Sequence, residues 1–139
     1  MSVRISVTAL CLAAAGTSAF AEAHAAAQSV EAADQSVANG VVSADLITAA
    51  QNGWMVVHRT DADMAPGIVV GYAPLREGEN VDVAAILQED VAPGDMLMLM
   101  VHGEDGGMAT GVFEYTLGAS EDGPVRVDDE LVMTVVTAQ

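Results

Sequence analysis

From Val41 onward the chain falls into short runs rich in Val, Ile, Leu and Met, separated by clusters of Gly, Pro, Asn and Asp. That pattern predicts strands at about Val41–Thr48, Trp54–Arg59, Ile68–Tyr72, Val81–Leu87, Met96–His102, Val112–Leu117 and Leu131–Thr137, with a further short one at Val125–Val127. The breaks carry turn chemistry: Gln51-Asn52-Gly53, Ala65-Pro66-Gly67, Ala92-Pro93-Gly94-Asp95 and Glu121-Asp122-Gly123-Pro124 each put Gly or Pro where a strand interior tolerates neither. No helical period lasts long enough to supply crossovers between parallel strands. The expected fold is therefore all-β, an antiparallel immunoglobulin-like β-sandwich of seven to eight strands.

Alternation along each run assigns the faces, because successive side chains of a strand point to opposite sides. Trp54, Val56 and His58 share one side, against Met55, Val57 and Arg59. In the Met96 run, Leu97, Leu99 and Val101 oppose Met96, Met98, Met100 and His102. Both of its faces are apolar apart from the terminal histidine. Such a strand is central and covered on both sides, or else one side carries a site.

The start of the chain has a different grammar. Met1–Arg4 is a short positive start, Ile5–Ala15 is apolar, and small residues lead to Ala19-Phe20-Ala21. This three-part order predicts a secretory signal over 1–21, cleaved after Ala21 or alternatively after Ala25, and hence a periplasmic or secreted protein. The apolar run is too short to span a bilayer, which needs about 20 residues, so no transmembrane segment is expected. Residues 22–40, Ala-rich and polar, read as a flexible leader before a domain over 41–139.

Composition narrows the chemistry. Hydrophobic residues make up 52% of the 139, enough to build a core. Twenty Asp and Glu stand against four Arg, a formal net charge of -16, and that field repels nucleic acid and anionic lipid. The single cysteine, Cys11, lies inside the predicted signal, so disulfides, thiolate metal sites and thiol catalysis are excluded from the domain.

The run from Asn52-Gly53-Trp54-Met55-Val56-Val57-His58 through Pro66-Gly67-Ile68-Val69-Val70-Gly71, Leu75, Gly78 and Asp82-Val83 resembles an uncharacterised domain family found in secreted and cell-surface proteins of halophilic archaea and of various bacteria. The later stretch Leu97–Glu114, with Met100-Val101-His102, an acidic glycine-rich loop and Phe113-Glu114, is similar to that family's second half. The resemblance implies an exported all-β module of unknown activity and brings no catalytic residues. Its loop after the second histidine tends to be rich in Asp and Asn, whereas Gly103–Met108 here holds only Glu104 and Asp105 as acids.

Two kinds of ion site can be drawn from these residues. Imidazole nitrogen and thioether sulfur are the ligands a cysteine-free exported protein offers copper. Met100 and His102 sit two apart on one strand face, and His58 joins them if its strand pairs in suitable register. Calcium, which takes oxygen ligands from irregular loops, would draw on Glu104 and Asp105, with Glu114 nearby. The bland alternatives are Met as core filler, each His bonded to a neighbouring carbonyl, and an acidic turn facing water. No G-x-S-x-G context, phosphate loop or other catalytic constellation stands out. The expected function is a non-catalytic exported module, binding or structural, with an unidentified protein or ion as its ligand; metal binding is the alternative.

Overall fold

The computed structural model describes residues 26–139, so the predicted signal peptide and its cleavage sites lie outside the described residues. Among the described residues nine strands form: β1 (Ser29–Glu31), β2 (Val41–Ala49), β3 (Gly53–Thr60), β4 (Val69–Leu75), β5 (Gly78–Ile86), β6 (Met96–Gly103), β7 (Arg126–Val127), β8 (Glu130–Leu131) and β9 (Met133–Thr137). They make a three-stranded sheet in the order β1-β2-β5, a four-stranded sheet in the order β4-β3-β6-β9, and the small β7-β8 pair, antiparallel throughout. Among the described residues there is no helix, and hence none long and apolar enough to cross a membrane.

The two larger sheets share one core. Met55 and Val57 of β3 and Leu97, Leu99 and Val101 of β6 meet Val42, Ala44 and Ile47 of β2 and Ala85 of β5, all of them buried. Burial of a Leu, Ile or Met side chain contributes about 1.5–3 kcal/mol, so this layer dominates the favourable side of folding. The alternation expected from sequence places the residues as observed: the inward set of β6 belongs to this core, and Met98, Met100 and His102 lie on the other face, also buried. That second face is covered by the long segment between β6 and β7, which brings Phe113 and Tyr115 over it.

Two expectations change. Val112–Leu117 is not a strand: it lies between Gly111 and Gly118, both at positive φ, and its Glu114 N–H bonds to the Asp122 carboxylate instead of a strand neighbour. Residues 28–40 are more than a leader, for β1 pairs with β2. Beyond it the Asp34 carboxylate accepts from the Thr137 N–H, and the Gln35 carbonyl accepts from the Gln139 N–H, closing one side of the two sheets.

Glycine is required where β3 begins. Gly53 pairs with Gly103, and a Cβ on Gly53 would collide with the carbonyl oxygen of His102. The Gly53→Ala variant is expected to lose about 1–3 kcal/mol of stability, the usual cost of forcing a methyl into packed structure. Urea unfolding measures the loss, and altered amide shifts at His102 and Gly103 would locate the strain.

Candidate functional site

β3 and β6 pair in continuous antiparallel register, so His58 lies opposite Met98, Val56 opposite Met100 and Trp54 opposite His102. The two histidines therefore occupy opposite ends of one outward-facing patch, with the Val56–Met100 pair between them. Their rings reach toward each other across that pair until the two Nε2 atoms stand 3.4 Å apart. Neither histidine has any exposed surface.

Each ring is fixed by its other nitrogen. His58 follows a register shift between Val57 and His58 in the pairing with β4, a bulge of the kind that re-aims a side chain. Its Nδ1 lies 2.8 Å from the carbonyl oxygen of Gly67. Gly67 owes its identity to the same turn, since a Cβ there would come within 2.7 Å of the Arg59 carbonyl. His102 Nδ1 lies 2.6 Å from the carbonyl oxygen of Asp122. A carbonyl oxygen only accepts, so in both rings Nδ1 carries the hydrogen and donates. In the neutral imidazoles both Nε2 atoms are then bare lone pairs, facing each other with no donor between them. A proton or a cation placed there turns that mutual repulsion into attraction.

Asp122 builds the cover over this pair. It is fully buried, at a φ of 45°, and its two carboxylate oxygens accept from the Asp105 and Glu114 N–H groups at 3.1 and 2.8 Å. Its own N–H donates to the Asp105 carbonyl. Thus one residue ties both arms of the loop together and presents its carbonyl to His102. Tyr115, brought in by this loop, meets the His102 ring edge-on at 4.5 Å and the His58 ring at 5.9 Å. Phe113 lies against Tyr72 at 4.3 Å and Trp54 at 5.5 Å, extending the cover.

The structure brings together His58, His102 and, between them on the same face, Met100. Glu104 and Asp105 go elsewhere. The Glu104 carboxylate accepts from Trp54 Nε1 at 2.8 Å and from the Gly111 N–H at 3.2 Å; that of Asp105 accepts from Gln51 Nε2 at 3.4 Å. Among the described residues no three or more His, Cys, Asp or Glu side chains converge as a ligand set. A surface cleft of about 440 Å³ opens beside Trp54, Leu75, Arg76 and Glu104, and neither histidine lines it. The residue pattern puts Tyr115 in a strand and Asp122 in a turn and marks neither as part of a site; the one signal is the aromatic pair Phe113 and Tyr115 in a segment otherwise rich in Gly and acids.

Burial pushes both imidazoles below the usual histidine value: desolvation is the leading cause for His58, opposed by the bond to Gly67, and for His102 it brings the pKa down to about 4. The unfolded chain thus takes up protons at higher pH than the folded one, and stability present above about pH 6.5 is lost as pH falls toward 4. For His102 alone the loss approaches about 3 kcal/mol, at about 1.4 kcal/mol per unit. Urea midpoints of the metal-free protein between pH 7 and 4 should fall, and the slope should flatten in His102→Gln. A second substitution, Asp122→Ala, should cost about 2–4 kcal/mol by leaving the Asp105 and Glu114 amides without acceptors. Faster hydrogen exchange at those two amides would be its signature.

A search of curated proteins finds no match, and neither does a search of solved structures. The family model described as "Domain of unknown function (DUF7282)" matches residues 28–139, from just before β1 to the end of β9. By that match, which spans every strand and both histidines, the chain belongs to the DUF7282 family.

Proposed function

We propose that this protein is an exported, non-catalytic β-sandwich module, immunoglobulin-like in architecture and periplasmic or secreted, that holds one metal ion between His58 and His102. The observation that carries the reading is the pair of Nε2 lone pairs 3.4 Å apart, each imidazole locked by a carbonyl at its other nitrogen. Metal-ligating histidines are typically oriented in this way, by an acceptor on the distal N–H. The separation also suits an ion: with metal–nitrogen bonds of about 2.0–2.1 Å, it subtends about 108–116° at the metal, between tetrahedral and trigonal. Met100, and Met98 opposite His58, add thioether sulfur on the same face. The export half of the proposal rests on the signal-like order of residues 1–21. The non-catalytic half rests on the enclosure of both imidazoles, which leaves them no open cleft in which to meet a substrate.

Titration of the purified metal-free protein tests the reading. One ion per chain is expected, with a higher Tm; saturation at 100 times Kd adds about 2.7 kcal/mol. Binding should disappear in both His58→Gln and His102→Gln, provided that circular dichroism shows each variant folded. Binding that persists in the folded variants would place the ion elsewhere, and no saturable binding in 0.15 M salt would leave the pair as neutral core histidines; either result would overturn the proposal.

A further inference from the structure

The charges around the histidine pair also select among ions. Among the described residues Asp122 is the one fully buried carboxylate, and its carbonyl is the group that holds His102 Nδ1. The other buried polar side chains, His58, His102 and Thr48, carry no charge when the imidazoles are neutral. Both imidazoles would enter the coordination sphere as neutral ligands, and no carboxylate converges on them to form a charged set. Val56, Met98 and Met100 share this strand face, and the Tyr115 ring meets both imidazoles.

We propose, building on the metal-binding reading above, that the site is selective for a soft monovalent cation, Cu(I), over Zn(II), Cu(II) and Ca(II), with Met100 supplying a thioether ligand. The buried carboxylate of Asp122 offsets one positive charge, and no other carboxylate among the described residues is fully buried. A divalent ion leaves a net charge in an apolar enclosure, and the cost of desolvating the ion itself rises with the square of its charge, roughly fourfold from one to two. Zn(II) ordinarily answers that cost with thiolates, carboxylates or a bound water in a closed four-coordinate shell, and Ca(II) with six to eight oxygens. Cu(I) accepts few ligands, all neutral, and thioether sulfur favours it over the harder ions.

The test compares ions on one protein. Anaerobic titration with Cu(I) delivered from a competing chelator, with Ag(I) as a redox-inert probe, is set beside Zn(II) and Cu(II) titrations in 0.15 M salt. The expected result is one Cu(I) or Ag(I) per chain, bound at least about 100-fold more tightly than Zn(II). The nitrogen-15 shifts of both Nε2 atoms should move on binding while both Nδ1–H protons persist. Met100→Leu, which conserves volume, should weaken Ag(I) binding about tenfold or more and leave Zn(II) unchanged. Zn(II) or Cu(II) held through the same Nε2 atoms as tightly as Ag(I) would overturn the selectivity while leaving the metal site standing. Equal Ag(I) affinity in Met100→Leu would remove Met100 from it. Failure of every ion to move the Nε2 signals would overturn the metal-binding reading, and the selectivity with it.

Discussion

The pairing of β3 with β6 is the constraint on which everything else depends. It stacks the inward Met55 and Val57 with Leu97, Leu99 and Val101, and on the reverse face it sets the distance between His58 and His102. A slip of one residue would turn His58 and Trp54 into the core and expel Met55 and Val57, which hydrophobic patterning alone forbids. A slip of two is subtler, because it keeps every residue on its face. What opposes it is polar: His58 must meet the Gly67 carbonyl beside the β4 bulge, and His102 must meet the Asp122 carbonyl beside the end of β6. Gly53 and Gly103, paired where the strands begin and end, permit the close approach at that terminus. The histidines thus specify a register that the apolar residues alone leave degenerate.

Burying those polar groups is expensive, and the structure meets the expense by pairing rather than by exposure. A buried polar group left without a partner costs about 1–3 kcal/mol, more if charged. Every buried side-chain nitrogen and oxygen among the described residues has another polar atom within hydrogen-bonding distance. For the two Nε2 atoms, however, that neighbour is the other acceptor, so proximity is met without a donor. Here the accounting closes only with something added between the two atoms, a proton or an ion. It falls where two loops, the β3–β4 connection at Gly67 and the β6–β7 segment with Tyr115 and Asp122, hold the two rings.

Much of the fold was legible from alternation and turn residues. The strands later seen as β2 to β6 and β9 were each anticipated to within a few residues, and β6 was recognisable as a strand covered on both sides. The site was legible only as a conditional, because the meeting of His58 and His102 depends on register, and register depends on long-range pairing that one sequence does not display. The failures have physical causes. β1 is only three residues long, and its surroundings are held by the side chains of Asp34 and Gln35, which carry no periodic signal. Residues 112–117 have strand-like composition, yet their shape is set by the Asp122 carboxylate and flanking glycines, a non-local capture that overrides propensity.

The cover over the imidazoles is irregular chain rather than another sheet, and that choice has consequences for how the site works. A strand added to the outer face would be bound into a ladder and would open only with the fold. The 104–122 loop is held by a few separable contacts, chiefly the Asp122 carboxylate, the Tyr115 and Phe113 rings and the Glu104–Trp54 bond. Segments held in this way open locally at free energies well below that of global unfolding. Both histidines are without exposed surface, so any solute that reaches them must first displace part of this cover. Access to the pair is therefore governed by the loop and affinity at the pair by the strands, two properties that substitutions can alter separately because they reside in different elements.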